Sequence, residues 1–325
     1  MGIKNIERLI LMKKLLFLLS LLLIFSGIFF ISYKSQSSIK VSKEKPAENL
    51  QKKEITIEKP TENPKKKDVP IAEEPKTTKP EIVDTAPVFY NILGSSTKPK
   101  IYPNAAMEKW RNDVVNLSKK YPSNLYINGQ SENKVIALTF DDGPDLINTP
   151  KILKILRENA TQATFFCIGK QIESCKTIIK QAYLDGNVIG SHSWSHKDFT
   201  TLKVAGINNE VTLTENEINT VIGKRPALIR PPYGAVNEST LHSLISLNYK
   251  SILWSIDTLD WEQREVDNIV KNVVENVRPG EIILMHCDGD KQITTEALPQ
   301  IILKLKGMGY SFVTVDKLLN LPAYK

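Results

Sequence analysis

The sequence predicts an α/β domain of parallel βα units, set behind an apolar N-terminal segment and a long polar tether. Three observations carry that prediction. Short apolar runs alternate with amphipathic stretches from Lys134 onward, the pattern of strands joined by helical crossovers. Residues 34–100 are rich in Lys, Glu, Pro, Thr and Ser, with Pro46, Pro60, Pro64, Pro70, Pro75, Pro80 and Pro87 spaced through them. Leu15 to Ile31 are apolar apart from Ser20, Ser26 and Gly27.

The apolar run has a length close to the ~17 residues that suffice for a bilayer span. Lys4, Arg8, Lys13 and Lys14 precede it, which predicts an N-terminus inside and a chain outside. The run is long for a signal-peptide core and no A-x-A site follows, so residues 1–33 are expected to form an uncleaved membrane anchor. A cleaved signal, and hence a secreted protein, is the alternative. Residues 34–100 cannot bury enough apolar surface to offset ordering entropy and are expected to be a disordered linker. Such a linker spans roughly 45 Å when flexible and about 200 Å when stretched. Residues 101–130 read as a short pre-domain segment. A helix over Tyr102 to Tyr121 is expected on the domain edge, with no chemistry assigned to it.

The main domain is expected over residues 131–322. Strands are predicted at Val135–Phe140, Ala163–Ile168, Asn187–Ser191, Ala227–Arg230, Ser251–Ile256, Glu281–Met285 and Ser311–Val315. Helices are predicted at Pro150–Asn159, Gln171–Leu184, Lys203–Ile222, Glu238–Leu247, Val266–Val277 and Thr294–Gly307. Thr149 reads as the N-cap of the first of these, with Pro150 at N1. Closure into a barrel is the preferred architecture, with an open doubly wound sheet as the alternative.

The net charge of +7 does not mark a nucleic-acid binder. Residues 1–14 hold four basic and one acidic side chain, residues 34–100 hold 14 and 10, and residues 101–325 hold 25 of each. The domain is neutral, and the excess sits in anchor and tether, which suits a membrane and wall setting. Three cysteines, Cys167, Cys175 and Cys287, exclude a disulfide scaffold. Pairing of Cys167 with Cys175 stays open beside a reading as small buried hydrophobes.

Polar clusters follow the predicted strands. They are Asp141-Asp142-Gly-Pro, His192-Ser-Trp-Ser-His196, Arg230-Pro-Pro-Tyr-Gly234, Asp257-Thr-Leu-Asp260-Trp261 and His286. In a parallel βα barrel these strand ends share one rim. Adjacent carboxylates repel unless a cation or an arginine intervenes. Two histidines four apart lie on one face of a helical turn and can share a metal. With one carboxylate they form a His, His, Asp set; a second carboxylate could act as base and a distant histidine as proton donor. Taken singly, each cluster has a bland reading: a turn, a solvated helix face, a structural loop, a helix cap, a core histidine. Five on one rim point to metal-assisted hydrolysis of amides or esters. His242, in a predicted helix, is given a structural role.

These residues resemble the polysaccharide deacetylase family, the NodB-like carbohydrate esterases. The matching stretches are Thr139-Phe-Asp-Asp-Gly-Pro144, His192 to His196, Arg230 to Gly234, Asp257 to Trp261 and Leu284-Met-His286. The resemblance covers Lys134 to about Leu319. It implies a distorted (β/α)7 barrel and one divalent metal, zinc first, with cobalt or nickel as alternatives, held by Asp142, His192 and His196. It implies Asp141 as catalytic base, held by Arg230, and His286 as general acid, tuned by Asp257. The Tyr233 backbone N–H would stabilise the oxyanion, and Trp261 and Leu284 would shape the pocket for the acetyl methyl. The family usually has Asp directly after the last histidine; here Cys287 intervenes and Asp288 follows. The implied activity is removal of N-acetyl groups from a polymeric glycan. Peptidoglycan is expected from the outward anchor and tether, at N-acetylglucosamine first, with N-acetylmuramic acid as the alternative sugar. Chitooligomers, poly-N-acetylglucosamine, an O-acetylated polysaccharide, or an inactive wall-binding role are the alternatives.

Overall fold

The computed structural model describes residues 87–96, 104–130 and 132–325. The expected anchor over 1–33 and most of the expected linker lie outside the described residues. Among the described residues no helix is long and apolar enough to cross a membrane.

Among the described residues nine short strands form the sheet: β1 (Leu125–Tyr126), β2 (Val135–Asp141), β3 (Thr164–Cys167), β4 (Val188–Ser191), β5 (Leu228–Ile229), β6 (Lys250–Ile252), β7 (Ile256–Asp257), β8 (Ile282–His286) and β9 (Ser311–Phe312). The hydrogen-bonded order is β1-β6-β5-β4-β3-β2-β8-β7, with β9 added to the start of β2, and every pair is parallel. The helices are α1 (Asn104–Lys120), α2 (Asn148–Glu158), α3 (Gly169–Ile172), α4 (Lys176–Leu184), α5 (Val204–Ile222), α6 (Glu238–Ser246), α7 (Val266–Val274), α8 (Gln292–Gly307) and α9 (Val315–Leu319).

Strand periodicity divides the core in two. Ile136, Leu138 and Phe140 of β2, Phe165 of β3 and Ile283 and Met285 of β8 pack with residues of α2, α4, α7 and α8. Their neighbours Ala137, Phe166, Ile282 and Leu284 face the other way, into a cluster with Leu228, Trp254 and Val114 and Val115 of α1. The second face is the inside of the curl. It carries Ala137, then Thr139, then Asp141, so a two-residue period delivers Asp141 to the rim on the inner face.

Several expectations are corrected. The single strand expected over Ser251–Ile256 is broken. Its first part, β6, pairs with β5 and β1, and its last part, β7, pairs with β8. The break serves the fully buried Arg230, whose Nε and Nη2 donate to the carbonyls of Ile252 and Leu253 at 3.0 and 2.9 Å. The expected barrel is thus a curled parallel sheet with a shared, interrupted strand. The last strand is two residues long, because Val315 and Leu318 turn inward as part of α9. Helix α2 begins at Asn148, before the expected cap. Asp145 Oδ1 accepts from Asn148 N and Thr149 N at 2.8 and 2.7 Å and does the capping. Pro150 still falls in the first turn, where a missing N–H is harmless.

Described residues before the boundary expected at residue 131, and residues 87–96 of the linker expected over 34–100, already belong to the fold. Leu93 bridges Ile256 in parallel, with Leu93 N donating to Ser255 O at 2.9 Å and Asp257 N to Leu93 O at 2.8 Å. Ile92 is buried, and the Tyr90 ring lies 4.0 Å from the Arg278 guanidinium. Phe89, Tyr90, Ile92 and Leu93 are an apolar run in a polar tether, too short to show a period yet enough to hold residues 87–96 on the sheet edge. His242 takes the expected structural place, its Nε2 3.2 Å from the Tyr121 hydroxyl.

Candidate active site

The strand ends bring the five predicted clusters to one cavity of about 460 Å³. Asp141, Asp142, His192, His196, Tyr233, Asp257, Trp261, Leu284 and His286 all line it. Arg230 lies behind the wall.

Asp141 ends β2 pointing inward. The chain then takes a left-handed turn at Asp142, φ 68°, which brings the second carboxylate to the same rim. His192 and His196 were expected on a helical turn. They lie instead on a bent loop after β4, with left-handed backbone at Ser193 (φ 68°) and His196 (φ 59°). A residue that the sequence reading missed shapes this loop. The buried Glu210 of α5 accepts from Ser195 N at 2.7 Å and Ser195 Oγ at 2.8 Å. Burial raises the pKa of Glu210, but the Ser195 bonds and Lys197 outweigh it and hold the carboxyl below its ordinary value. The only sequence signal was an acid at a core-facing position of an amphipathic helix.

The Nε2 atoms of His192 and His196 stand 3.3 and 3.0 Å from Asp142 Oδ1. One donor atom from each of the three residues lies within 4.8 Å of the others. His192 Nδ1 is 2.7 Å from the Arg230 carbonyl, which fixes Nε2 as the atom facing the site. Asp142 Oδ1 is buried and lacks a hydrogen bond of good geometry. Burial disfavours the Asp142 charge, yet contact with the two imidazoles more than offsets it and places the carboxyl far below the usual range. His192 shows the converse: burial lowers its pKa, and the Asp141 and Asp142 charges raise it above the ordinary value. Two imidazoles converging on a buried carboxylate oxygen form a donor set that suits a divalent metal.

Arg230 Nη1 donates to Asp141 Oδ1 at 2.8 Å and to Thr139 Oγ1 at 2.9 Å. Its guanidinium sits 4.3 Å from the Phe166 ring and 5.5 Å from Trp254. A fully buried guanidinium with these partners fixes the orientation of the Asp141 carboxyl.

The opposite wall carries His286, last residue of β8 and in register with Asp141 across the β2–β8 pair. Asp257 was expected to tune it. The carboxylate on the imidazole is Asp260, whose Oδ1 lies 2.7 Å from His286 Nδ1 while its Oδ2 accepts from His286 N at 2.8 Å and Thr294 Oγ1 at 2.6 Å. A left-handed residue, Leu259 at φ 57°, carries the chain past Asp257 and puts the second aspartate under the imidazole. Burial would lower the pKa of His286, but the Asp260 carboxylate prevails and pushes it up to about 10. Asp257 has another task. Its Oδ1 accepts from Leu259 N at 2.9 Å and Trp261 Nε1 at 3.2 Å, so it sets the indole that walls the cavity. Burial raises its pKa to about 6, against the Leu259 N–H and the His286 charge.

Tyr233 has left-handed backbone, φ 61°, as does Gly234, φ 62°. A side chain at Gly234 would meet Trp110 and Trp254 within 2.8 Å. Met107, Trp110 and Trp254 also line the cavity, and none was foreseen. Cys287, at the departure from the family pattern, is buried and donates its thiol to the Asp141 carbonyl at 3.3 Å. Asp288 pairs with Lys291, its Oδ1 3.3 Å from Nζ. All three cysteines are free and buried, so Cys167 and Cys175 do not pair.

Known proteins resemble the chain over this region. The polysaccharide deacetylase profile matches residues 128–252. The chain is 40% identical over 187 residues to a peptidoglycan-N-acetylglucosamine deacetylase of Bacillus cereus, covering 57% of this chain and 68% of the relative. It is 35% identical over 211 residues to a peptidoglycan-N-acetylmuramic acid deacetylase of Bacillus subtilis, covering 65% of this chain and 43% of the relative. A crystal structure of a peptidoglycan N-acetylglucosamine deacetylase bound to 4-naphthalen-1-yl-N-oxidanyl-benzamide superposes with a TM-score of 0.62 at 36% identity, covering 64% of this chain and 99% of that one. With matches of this extent, and with the five strand-end clusters gathered at one cavity, the chain belongs to the polysaccharide deacetylase family.

Proposed function

We propose that the protein is a metal-dependent deacetylase that removes the N-acetyl group from N-acetylglucosamine residues of peptidoglycan, releasing acetate and leaving a free amine. The observation that carries this reading is the shared cavity, with the Asp142–His192–His196 donor set and Asp141 on one wall and His286 on the other.

Asp142, His192 and His196 would hold one divalent metal, zinc first, with cobalt or nickel as alternatives. When bound, such an ion supplies Lewis acidity toward an amide carbonyl and makes water acidic enough to lose a proton near neutral pH. Asp141 takes that proton as general base, held by Arg230. The Tyr233 backbone N–H would stabilise the developing oxyanion. His286, protonated below about pH 10, passes its proton to the departing amine nitrogen. Asp260 orients the imidazole and stabilises its charge. Trp261 and Leu284 enclose the acetyl methyl.

The choice of peptidoglycan N-acetylglucosamine follows the first-named relative and the outward anchor and tether proposed for residues 1–33 and 34–86. These would place the domain outside the membrane and let it work at a distance within a wall. The inactive wall-binding alternative is disfavoured because every metal donor, the base and the acid are present. The test is acetate release from purified peptidoglycan, set against soluble chitooligomers and O-acetylated polysaccharide. Acetate from peptidoglycan, with new free amines on glucosamine, supports the reading. Free amines on muramic acid alone, or no acetate from walls of any source, would refute it.

A further inference from the structure

The cavity is larger than an acetamide requires, and one wall comes from outside the segment that the family profile matches. Helix α1 ends at Lys120, before residue 128, where that match begins. Yet Ala106, Met107 and Trp110 of α1 line the same cavity as Asp141 and His286. Trp110 is held from two sides. Its ring packs on Trp254 at 5.3 Å and 35°, and its Nε1 donates to Gly234 O at 3.2 Å. It is only partly buried, so a fixed aromatic face stays on the cavity. Beneath it, Val114 and Val115 anchor α1 in the inner core. A rigid indole beside an open cleft is pre-organised for a flat, partly apolar partner. The C–H face of a pyranose ring is such a partner, and in a polymer the ring beside the reacting one is always present.

On the deacetylase reading above, we propose that Trp110, with Met107, forms a platform for the sugar adjacent to the one that loses its acetyl group. Helix α1 thereby selects oligomeric glycans over single sugars. The platform is the contribution of the N-terminal segment to specificity.

The test uses the full chain, Trp110→Ala and Trp110→Phe on N-acetylglucosamine oligomers of one to five sugars, reading kcat and KM separately. For Trp110→Ala, KM for the longer oligomers should rise about tenfold, in line with the loss of one aromatic contact, with kcat changed less than about threefold. The preference for long over short substrates should shrink accordingly. Trp110→Phe keeps a ring but not the bond to Gly234, and should stay within about threefold of the parent. Equal falls in kcat at every length in both variants would overturn the proposal, since they would show that Trp110 only props the Tyr233–Gly234 loop. So would a parent enzyme with no length preference. Calorimetric binding of the pentamer separates this from the activity. If no glycan yields acetate, the deacetylase reading fails, but a tenfold weaker pentamer affinity in Trp110→Ala still supports the platform, and equal affinity removes it.

Discussion

The two walls of the cavity are built in opposite ways. The Asp142–His192–His196 wall rests on strained backbone, with left-handed conformations at Asp142, Ser193 and His196, and on a buried oxygen without a good hydrogen bond. Left-handed backbone at non-glycine residues costs about 1–3 kcal/mol each. The His286 wall has one such residue, Leu259. Its imidazole ends a regular strand, and its partner Asp260 accepts three hydrogen bonds. The first wall gathers donor atoms on left-handed backbone, whereas the second is fixed by hydrogen bonds within the protein.

The sharpest way to break this contrast is His192→Ala. It should lower acetate release by more than about a thousandfold and abolish stoichiometric metal, while hydrogen exchange at the His286 strand stays as in the parent. Retained metal would contradict the ligand set. Next in size is Asp141→Asn. Loss of the base should lower kcat by about 10²–10⁴ with metal still bound and KM little changed.

Asp260→Asn tests the second wall. It should lower kcat about a hundredfold and move the alkaline limb of the pH profile. The sign follows from the raised pKa. His286 keeps its proton up to about pH 10 in the parent, so activity should persist through pH 8–9. Without the Asp260 charge the limb should fall toward the ordinary histidine value of about 6.5. Stability follows the same direction. The pair's contribution is complete below about pH 6.5 and is lost as pH rises through about 10. The smallest expected effect belongs to Asp257→Asn. It should cost several-fold in kcat/KM through a looser Trp261 and leave the alkaline limb in place. A shifted limb here, and none in Asp260→Asn, would restore Asp257 as the partner of His286.

The same contrast explains what was legible in the sequence. The βα order and the inner-face placement of Asp141 follow from periodicity, and long buried strands such as β2 show it plainly. The five clusters could be read because each directly follows a strand. The wrong details are those set by backbone that periodicity does not describe. Helical spacing suggested how His192 and His196 meet, but a loop tied to Glu210 brings them together. Asp257 looked like the partner of His286 because it stands at the strand end, and the left-handed turn at Leu259 gives that place to Asp260. Residues 87–96 and β1 were not foreseen because a short apolar run and a two-residue strand carry no period, and the helix expected over Tyr102 to Tyr121, which contains α1, was given no chemistry. Trp110 went unseen as a result.

The central claim is that one metal on Asp142, His192 and His196 serves the base and acid that face it. The direct test is to strip the protein with a chelator, titrate zinc back, and follow acetate release from peptidoglycan together with bound metal. The account predicts negligible release from the stripped protein and a linear recovery that breaks at one ion per chain. Full activity without metal, or recovery that continues well past one ion, would contradict it.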